Sequence, residues 1–356
     1  MNVYLVMSPL QLLNALEAKA HFGTKDNTLI VLRHTSQGYP LEMFRRLVDV
    51  DEWDRVYFFS TYRDDGVAKV SKYRWALLSL QQQRRLDRFA ATLGGVDGLF
   101  VGLYSEPLAR HFSNVLPHRT LYLLDDGTDT FVINESRKQA RRPVGPFFSR
   151  MSFLSRLLRT RDRQAERVVF FTVYDLEVAG NDLLIPNRYD HFRARLSAVP
   201  QGDEVWFLGS PLELDGYVSR ETYFHYLERT RRCYRDKPFI YLPHSRERHH
   251  DVQEIGTLLG CEVRRYGLPV EIALGRANPR PAELVSFITS ALTSCHVMFG
   301  NTLQFTSVYL DPELVLKHRA AVEEIYRQFY READATFRVA TLEQLAGRTA
   351  EVRTRS

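Results

Sequence analysis

Short apolar runs recur along this chain with helix-length stretches between them, and that rhythm limits the folds open to it. The runs are "VYLVM" (3–7), "TLIVL" (28–32), "RVYFF" (55–59), "GLFVG" (98–102), "TLYLL" (120–124) and "RVVFF" (167–171), all rich in β-branched or aromatic residues. Between the first two lies "PLQLLNALEAKAHF", with Pro9 at a helix start and apolar residues at helical spacing. Because the strands are continuously apolar rather than alternating, both faces of the sheet must be covered, which points to parallel βαβ units. The rhythm lapses through "NDLLIPNRYDHFRARLSAVPQGD" (181–203), where Pro186, Pro200 and Gly202 read as a connection over 186–203. It resumes with "EVWFLG" (204–209), "FIYLP" (239–243), a helix from about Asp251 to Leu259, "CEVRRY" (261–266) and "CHVMFG" (295–300). The expectation is an α/β chain of two Rossmann-like domains, 1–190 and 203–340, facing across a cleft. A length of 356 residues suits two such cores.

With 44% hydrophobic and 26% charged residues the chain can bury those cores, and disorder is excluded as a general description. No apolar run reaches the roughly 18 residues of a spanning helix, and "MNVYLVMSPLQ" lacks the basic segment and long apolar core of a signal peptide, so a cytoplasmic location is expected. Cys233, Cys261 and Cys295 form no CxxC pair and are odd in number, which argues against disulfides and structural zinc and for buried, inert thiols. The net charge of +5 is localised: residues 137–167 hold ten Lys and Arg against two acids, more than the whole surplus.

In open α/β sheets ligands bind outside the carboxyl ends of the strands, so polar residues directly after an apolar strand are the first site candidates. Asp125-Asp126-Gly127 follows "LYLL". Neighbouring carboxylates raise each other's pKa and suit a general base, although Asp126 could simply cap the next helix. Asp64-Asp65-Gly66 lies four residues past its strand and reads as a turn, while Asp49-Val50-Asp51 has the DxD form of metal-dependent sugar transferases but follows a helical pattern. His244 leaves "FIYL" at a strand end, suited to proton donation or to capping the next helix. His249 and His250 are adjacent and lack carboxylates at ligand spacing, so no metal is expected. Glu271, after Pro269, could accept hydrogen bonds from a ribose or base, and Thr289 and Ser290 could cradle a phosphate at a helix start; each is also ordinary helix-start chemistry.

The ordered set "YLVMSPLQLLNA", "LYLLDDGT", "FLGSPL", "YLPHSRE", "LPVE" and "SFITSAL", spanning roughly residues 2–300, resembles the bacterial sialyltransferases of glycosyltransferase family 52 and the related capsular polysialyltransferases. The resemblance implies a GT-B fold, with CMP-sialic acid held mainly by the C-terminal half and neither metal nor cofactor. It places Asp126 as general base and His244 as general acid or phosphate ligand. Thr289 and Ser290 fall on the phosphate-binding hydroxyls, and Gly209 and Glu271 along the nucleotide. Ser210, Ser245 and Arg246 complete the expected donor set, and Ser8, Gln11 and Asp125 the acceptor or supporting set. Where the family has proline after the histidine this chain has Ser245, with Pro243 before it.

The implied reaction is an inverting, metal-independent transfer of sialic acid, or of Kdo, pseudaminic or legionaminic acid, from a CMP donor to a glycan hydroxyl of lipooligosaccharide or capsule. Residues 137–167 interleave arginines with Phe147, Phe148, Met151, Phe153, Leu154, Leu157 and Leu158, a pattern suited to an anionic membrane surface or a lipid-linked acceptor, or to a solvated cationic helix packed on the domain. A nucleic-acid-binding protein would account for a pI near 9.0 but not for the ordered strand-end acids and histidine, so no nucleic-acid partner is expected.

Overall fold

The computed structural model describes residues 1–33, 39–60, 72–126, 129–139, 161, 163–244 and 246–347. The chain divides into two compact units, Met1–His191 and Phe192–Ser356.

The N-terminal unit is built on β1 (Asn2–Val6), β2 (Asn27–Arg33), β3 (Arg55–Ser60), β4 (Val96–Val101), β5 (His118–Leu124), β6 (Val169–Thr172) and β7 (Leu183–Pro186). They form one parallel sheet in the order β3-β2-β1-β4-β5-β6-β7. Its helices are α1 (Pro9–Phe22), α2 (Leu41–Leu47), α3 (Lys72–Leu93), α4 (Pro107–Val115) and α5 (Asp129–Lys138), with α6 (Asp190–Ser197) at the unit boundary. Val3, Leu5, Ile30, Leu32, Leu99, Val101, Leu121 and Leu123 are packed into a common core. Each fully buried side chain of this size stabilises by roughly 1.5–3 kcal/mol. The sheet register aligns Tyr4 with Phe100 and Phe100 with Tyr122. Their rings stack at 4.3 Å in both steps, a cross-strand ladder over the three central strands.

Helix α1 shows how local sequence sets the site. Ser8, in extended conformation, caps it by accepting from the Gln11 N–H, and Pro9 fills the first turn. Gly23 ends it at φ 58°, donating back to the Lys19 and Ala20 carbonyls. The Ser8 hydroxyl is thereby fixed two residues past the end of β1.

The C-terminal unit repeats the plan with β8 (Val205–Leu208), β9 (Phe239–Leu242), β10 (Glu262–Val263), β11 (Glu283–Ser286), β12 (Gln304–Val308) and β13 (Phe337–Ala340). The parallel order is β10-β9-β8-β11-β12-β13. Helices α7 (Arg220–Cys233), α8 (His249–Leu259), α9 (Val270–Gly275), α10 (Ser290–Phe299) and α11 (Arg319–Glu332) connect the strands. Trp206, Tyr241, Phe287 and Phe299 are buried at its centre. Both sheets thus reverse strand order once, at β1/β4 and at β8/β11, as Rossmann-like units do. The α/β class and two Rossmann-like units are present, as expected.

One expectation is corrected: "CHVMFG" is the end of helix α10, not a strand, because a six-residue apolar run does not distinguish a strand from a helix buried on most sides. The segment 186–203 contains the division between the two units at His191/Phe192, and it also closes β7 and carries α6. Strands β11 to β13 escaped the apolar criterion because they bury polar groups in mutual bonds. Ser286 Oγ donates to the Leu208 carbonyl at 2.6 Å and Ser307 Oγ to the Phe287 carbonyl at 2.7 Å. Glu283 accepts from Tyr234 at 2.9 Å and Arg338 at 2.8 Å.

Candidate active site

At the N-terminal unit's reversal point the ends of β1 and β4 lie side by side, with β5 next to β4. They deliver Ser8, Gly102 and Asp125-Asp126. Ser8 Oγ donates to Asp126 Oδ1 at 3.3 Å while accepting from Gln11 N at 3.2 Å. Gln11 is fully buried, and its Oε1 accepts from Met7 N at 2.6 Å. A Cβ on Gly102 would stand 2.4 Å from Gln11 Oε1, so this glycine is required by the close approach of the Gln11 side chain. Asp126 itself is half-buried and titrates at about 6, raised first by burial and further by the charges of Asp129 and Asp125, against the lowering pull of Gln11 and Ser8. Helix α5 starts only at Asp129, so the Asp126 carboxylate serves Ser8.

Asp125 is placed differently. It is 3% exposed and accepts from Val173 N at 2.8 Å, from Thr130 Oγ1 at 3.0 Å and from the Thr172 hydroxyl. Burial nonetheless lifts it to about 6. Its carbonyl accepts from Asn14 Nδ2 at 2.9 Å, tying α1 to the end of β5. Asp125 is the brace and Asp126 the accessible acid. Sequence reasoning missed the shell around them: Asp129, raised by burial; Glu106, 2% exposed and lifted to about 7 by burial; and Arg110, whose Nη1 donates to the Tyr104 and Ser105 carbonyls. The signal for Glu106 and Arg110 is "YSEPLAR" (104–110), polar residues soon after β4, the strand beside β1, and that for Asp129 is the third acid of "DDGTD" after β5.

In the C-terminal unit His244 follows β9 and is half-buried. Its Nδ1 accepts from Arg246 N at 3.2 Å, which leaves the proton of the neutral ring on Nε2. Burial, helped by Arg246, lowers its pKa. The imidazole is therefore a neutral donor at neutral pH in this state, not the imidazolium expected of a ready general acid. Glu247, which was overlooked, organises this turn. Its Oε2 accepts from His244 N at 2.6 Å, its Oε1 from Tyr241 OH at 2.6 Å, and burial raises its pKa. Gly209 is correspondingly backed by protein: a Cβ there would lie 2.4 Å from Glu247 Oε2 and 2.6 Å from Tyr241 OH. The expected role along a nucleotide is thus joined by a packing requirement.

Ser210 is buried, its N–H donates to Tyr223 OH at 3.3 Å, and its Oγ has no hydrogen-bond partner. It lines a shallow recess of about 280 Å³, open mouth included, with Pro211, Glu213, Phe224, Glu247 and Arg248. Arg246 is held by both oxygens of Asp215, at 2.9 and 2.8 Å. Glu271 is half-buried and accepts from Ser294 Oγ at 2.6 Å, which fastens α9 to α10. Thr289 is the N-cap of α10, accepting from Ala291 N at 3.3 Å. Ser245, Gly127, the side chain of Ser290 and the Asp64-Asp65-Gly66 turn lie outside the described residues.

Asp49 caps a short 3-10 turn by accepting from Asp51 N at 3.1 Å. His250 Nε2 lies 3.2 Å from Asp251 Oδ1, and among the described residues no three His, Cys, Asp or Glu side chains cluster as metal ligands would. Only Cys295 of the three free thiols is fully buried, yet burial raises the pKa of all three, which keeps them unreactive. Arg137 departs from expectation. It is no part of an exposed basic face but a 6%-exposed partner of Asp182, bonded through Nε at 2.5 Å and Nη2 at 2.6 Å. Residues 140–160 and 162 of the basic stretch lie outside the described residues; among the described residues no helix is long and apolar enough to cross a membrane.

No family model matches the sequence, and no curated protein matches it. Among solved structures, the chain is similar to Os79 from O. sativa in complex with UDP, at 12% identity and a TM-score of 0.49 over 98% of this chain and 94% of that one. It is also similar to MurG of Acinetobacter baumannii, at 11% identity and a TM-score of 0.44 over 99% and 91%. A UDP-glucosyltransferase from Polygonum tinctorium aligns at 12% identity and a TM-score of 0.45 over 87% and 80%. All three scores fall below one half, and the fold described above rests on its own strand order.

Proposed function

We propose that this chain is an inverting glycosyltransferase that moves sialic acid, or a related ulosonic acid, from a CMP donor to a hydroxyl of a cell-surface glycan, and that it belongs with the family 52 and polysialyltransferase group. The observation that carries the proposal is Asp126: an accessible carboxylate at the strand-order reversal, oriented by Ser8 and tuned to about 6. A base poised just below neutral pH is ionised in the cell yet basic enough to take a proton in the transition state.

In the proposed reaction the acceptor hydroxyl loses its proton to Asp126 as its oxygen bonds to the anomeric carbon. The bond from that carbon to the phosphate oxygen breaks, and CMP leaves with the electron pair. The C-terminal unit holds the leaving phosphate through the Nε2–H of His244 and the N-terminus of α10 at Thr289, whose helix dipole favours an anion. A neutral His244 acts first as a hydrogen-bond donor, and phosphate at its side draws its pKa upward. Other CMP-linked acids such as Kdo would engage the same phosphate ligands, so donor identity is read by assay.

The test is CMP release by the purified protein with CMP-sialic acid, CMP-Kdo and related donors against simple galactosides. One donor should turn over, and Asp126→Asn should lower kcat by about 10² or more while CMP still raises the melting temperature. Turnover at the wild-type rate in that variant refutes the base. The basic stretch after Arg137 is proposed to bring the protein to an anionic membrane carrying the acceptor; flotation with acidic liposomes that is insensitive to salt, or absent, rejects this.

A further inference from the structure

We propose that Gln11 is a positioning residue for Asp126, its buried side-chain amide turned so that Nε2–H is donated to the Asp126 carboxylate once that acid is ionised. The inference rests on the reading of Asp126 as the base and adds the group that sets its orientation and charge.

The orientation of the amide follows from chemistry. A backbone N–H can only donate, so the Gln11 side-chain atom 2.6 Å from Met7 N must be the oxygen, and Nε2 faces the opposite way. Gln11 is fully buried, and among the described residues Nε2 has no partner that meets full hydrogen-bond geometry, although Gln11 stands close enough to Asp126 to lower its pKa. An unpaired buried N–H is costly, and such groups call for an explanation. The side chain cannot relax on the β4 side, because the Gly102 backbone already lies where only a residue without a Cβ fits beside it. The Gln11 backbone N–H binds the Ser8 Oγ that itself donates to Asp126 Oδ1. Residue 11 is thus linked to the acid through Ser8 and stands near enough for its amide to favour the anion. The charged groups acting on Asp126 are acidic, Asp125 beside it and Asp129 from α5; Asp129 in turn faces Ser105 and the Arg110 guanidinium of α4, which also acts on Glu106, the residue that caps α4. Against those carboxylates, the Gln11 amide and the Ser8 hydroxyl are the donors that hold a negative charge on Asp126. Protonated, Asp126 offers Nε2 only a neutral carbonyl acceptor; ionised, it offers the stronger, charged one.

Gln11→Glu tests the inference without changing volume, since one oxygen can still accept from Met7 N while the other presents an acceptor where a donor stood. Gln11→Met removes both the donor and the acceptor of Met7 N, so it is read beside Gln11→Glu, which keeps that acceptor. The acid limb of the kcat/KM against pH profile should move upward by about one unit in Gln11→Met and further in Gln11→Glu, with rate recovered at high pH. A uniform loss at every pH, with the limb unmoved, marks a packing role and overturns the proposal. The ¹³Cγ resonance of Asp126 in the full chain reads the same shift without any substrate, so the inference fails or stands separately from the transferase reading. In wild-type protein the Gln11 side-chain NH₂ protons should move with the Asp126 titration at a common midpoint. Flat amide shifts across that titration overturn the proposal even if neither variant folds.

Discussion

Replacing Asp126 by asparagine should remove activity and raise stability, and the second effect has a definite size and pH window. In the unfolded chain an aspartate titrates near 3.8, whereas Asp126 in the fold titrates at about 6. Between those values the native state binds more protons than the unfolded state, so stability falls as pH rises through the window and the penalty is complete above it. Roughly two pKa units correspond to about 3 kcal/mol at most. Asparagine keeps a polar group in the same place and retains part of the desolvation cost, so a gain of about 1–2 kcal/mol is expected. In a unit of this size that is on the order of 3–8 °C in melting temperature. Urea unfolding of both proteins at about pH 8 and about pH 4 is the assay: the variant should be more stable at the higher pH and indistinguishable at the lower. Parallel stability curves with no pH-dependent gap would mean that Asp126 carries no ionisation penalty, and the assignment of a tuned base would lose its physical ground.

Two further outcomes follow from the geometry. Arg137→Met leaves Asp182 charged, buried and deprived of its guanidinium, which should cost about 3–5 kcal/mol and lower the melting temperature well beyond a surface arginine such as Arg119; a melt unchanged within a degree or two would return Arg137 to the solvent-exposed basic face. His244 should titrate below an ordinary histidine in the free protein and move upward when CMP is added, as followed by its ring proton resonances; an unmoved midpoint in saturating CMP removes it from the phosphate site.

The architecture was legible because both faces of each central strand are covered, which turns β1, β2 and β4 into uninterrupted apolar runs. The same criterion failed at β11 and β12, where Glu283, Ser286, Thr306 and Ser307 are buried but bonded to partners distant in sequence, which no local window contains. Asp126 and His244 could be found because a strand end is a local feature. Their surroundings could not. Asp125 is satisfied by Thr130 and by residues 172 and 173, more than forty positions on, and Glu247 acts on His244 through a turn whose sequence resembles any polar loop. The lowered pKa of His244 is equally invisible in sequence, because the burial that causes it arises from the tertiary fold.

Two adjacent acids at one strand end therefore divide their work according to the donors available to each. Asp125 has two hydroxyls and a backbone N–H, enough to fix the junction of β5, β6 and α5, and it is almost closed to solvent. Asp126 receives fewer donors and keeps part of its surface open, so its charge is only partly compensated. Burial lifts both acids to about 6, so openness to solvent rather than basicity separates them. On Asp126 the Gln11 amide and the Ser8 hydroxyl are balanced against burial and the opposing charge of Asp129. That balance is made by residues that follow two strands, β1 and β5, with Gly102 at the end of the intervening β4 packed against Gln11, so it exists only when the three strands lie side by side in this order. The strand-order reversal is thus what brings the donors and the acid together, as well as marking where they are found.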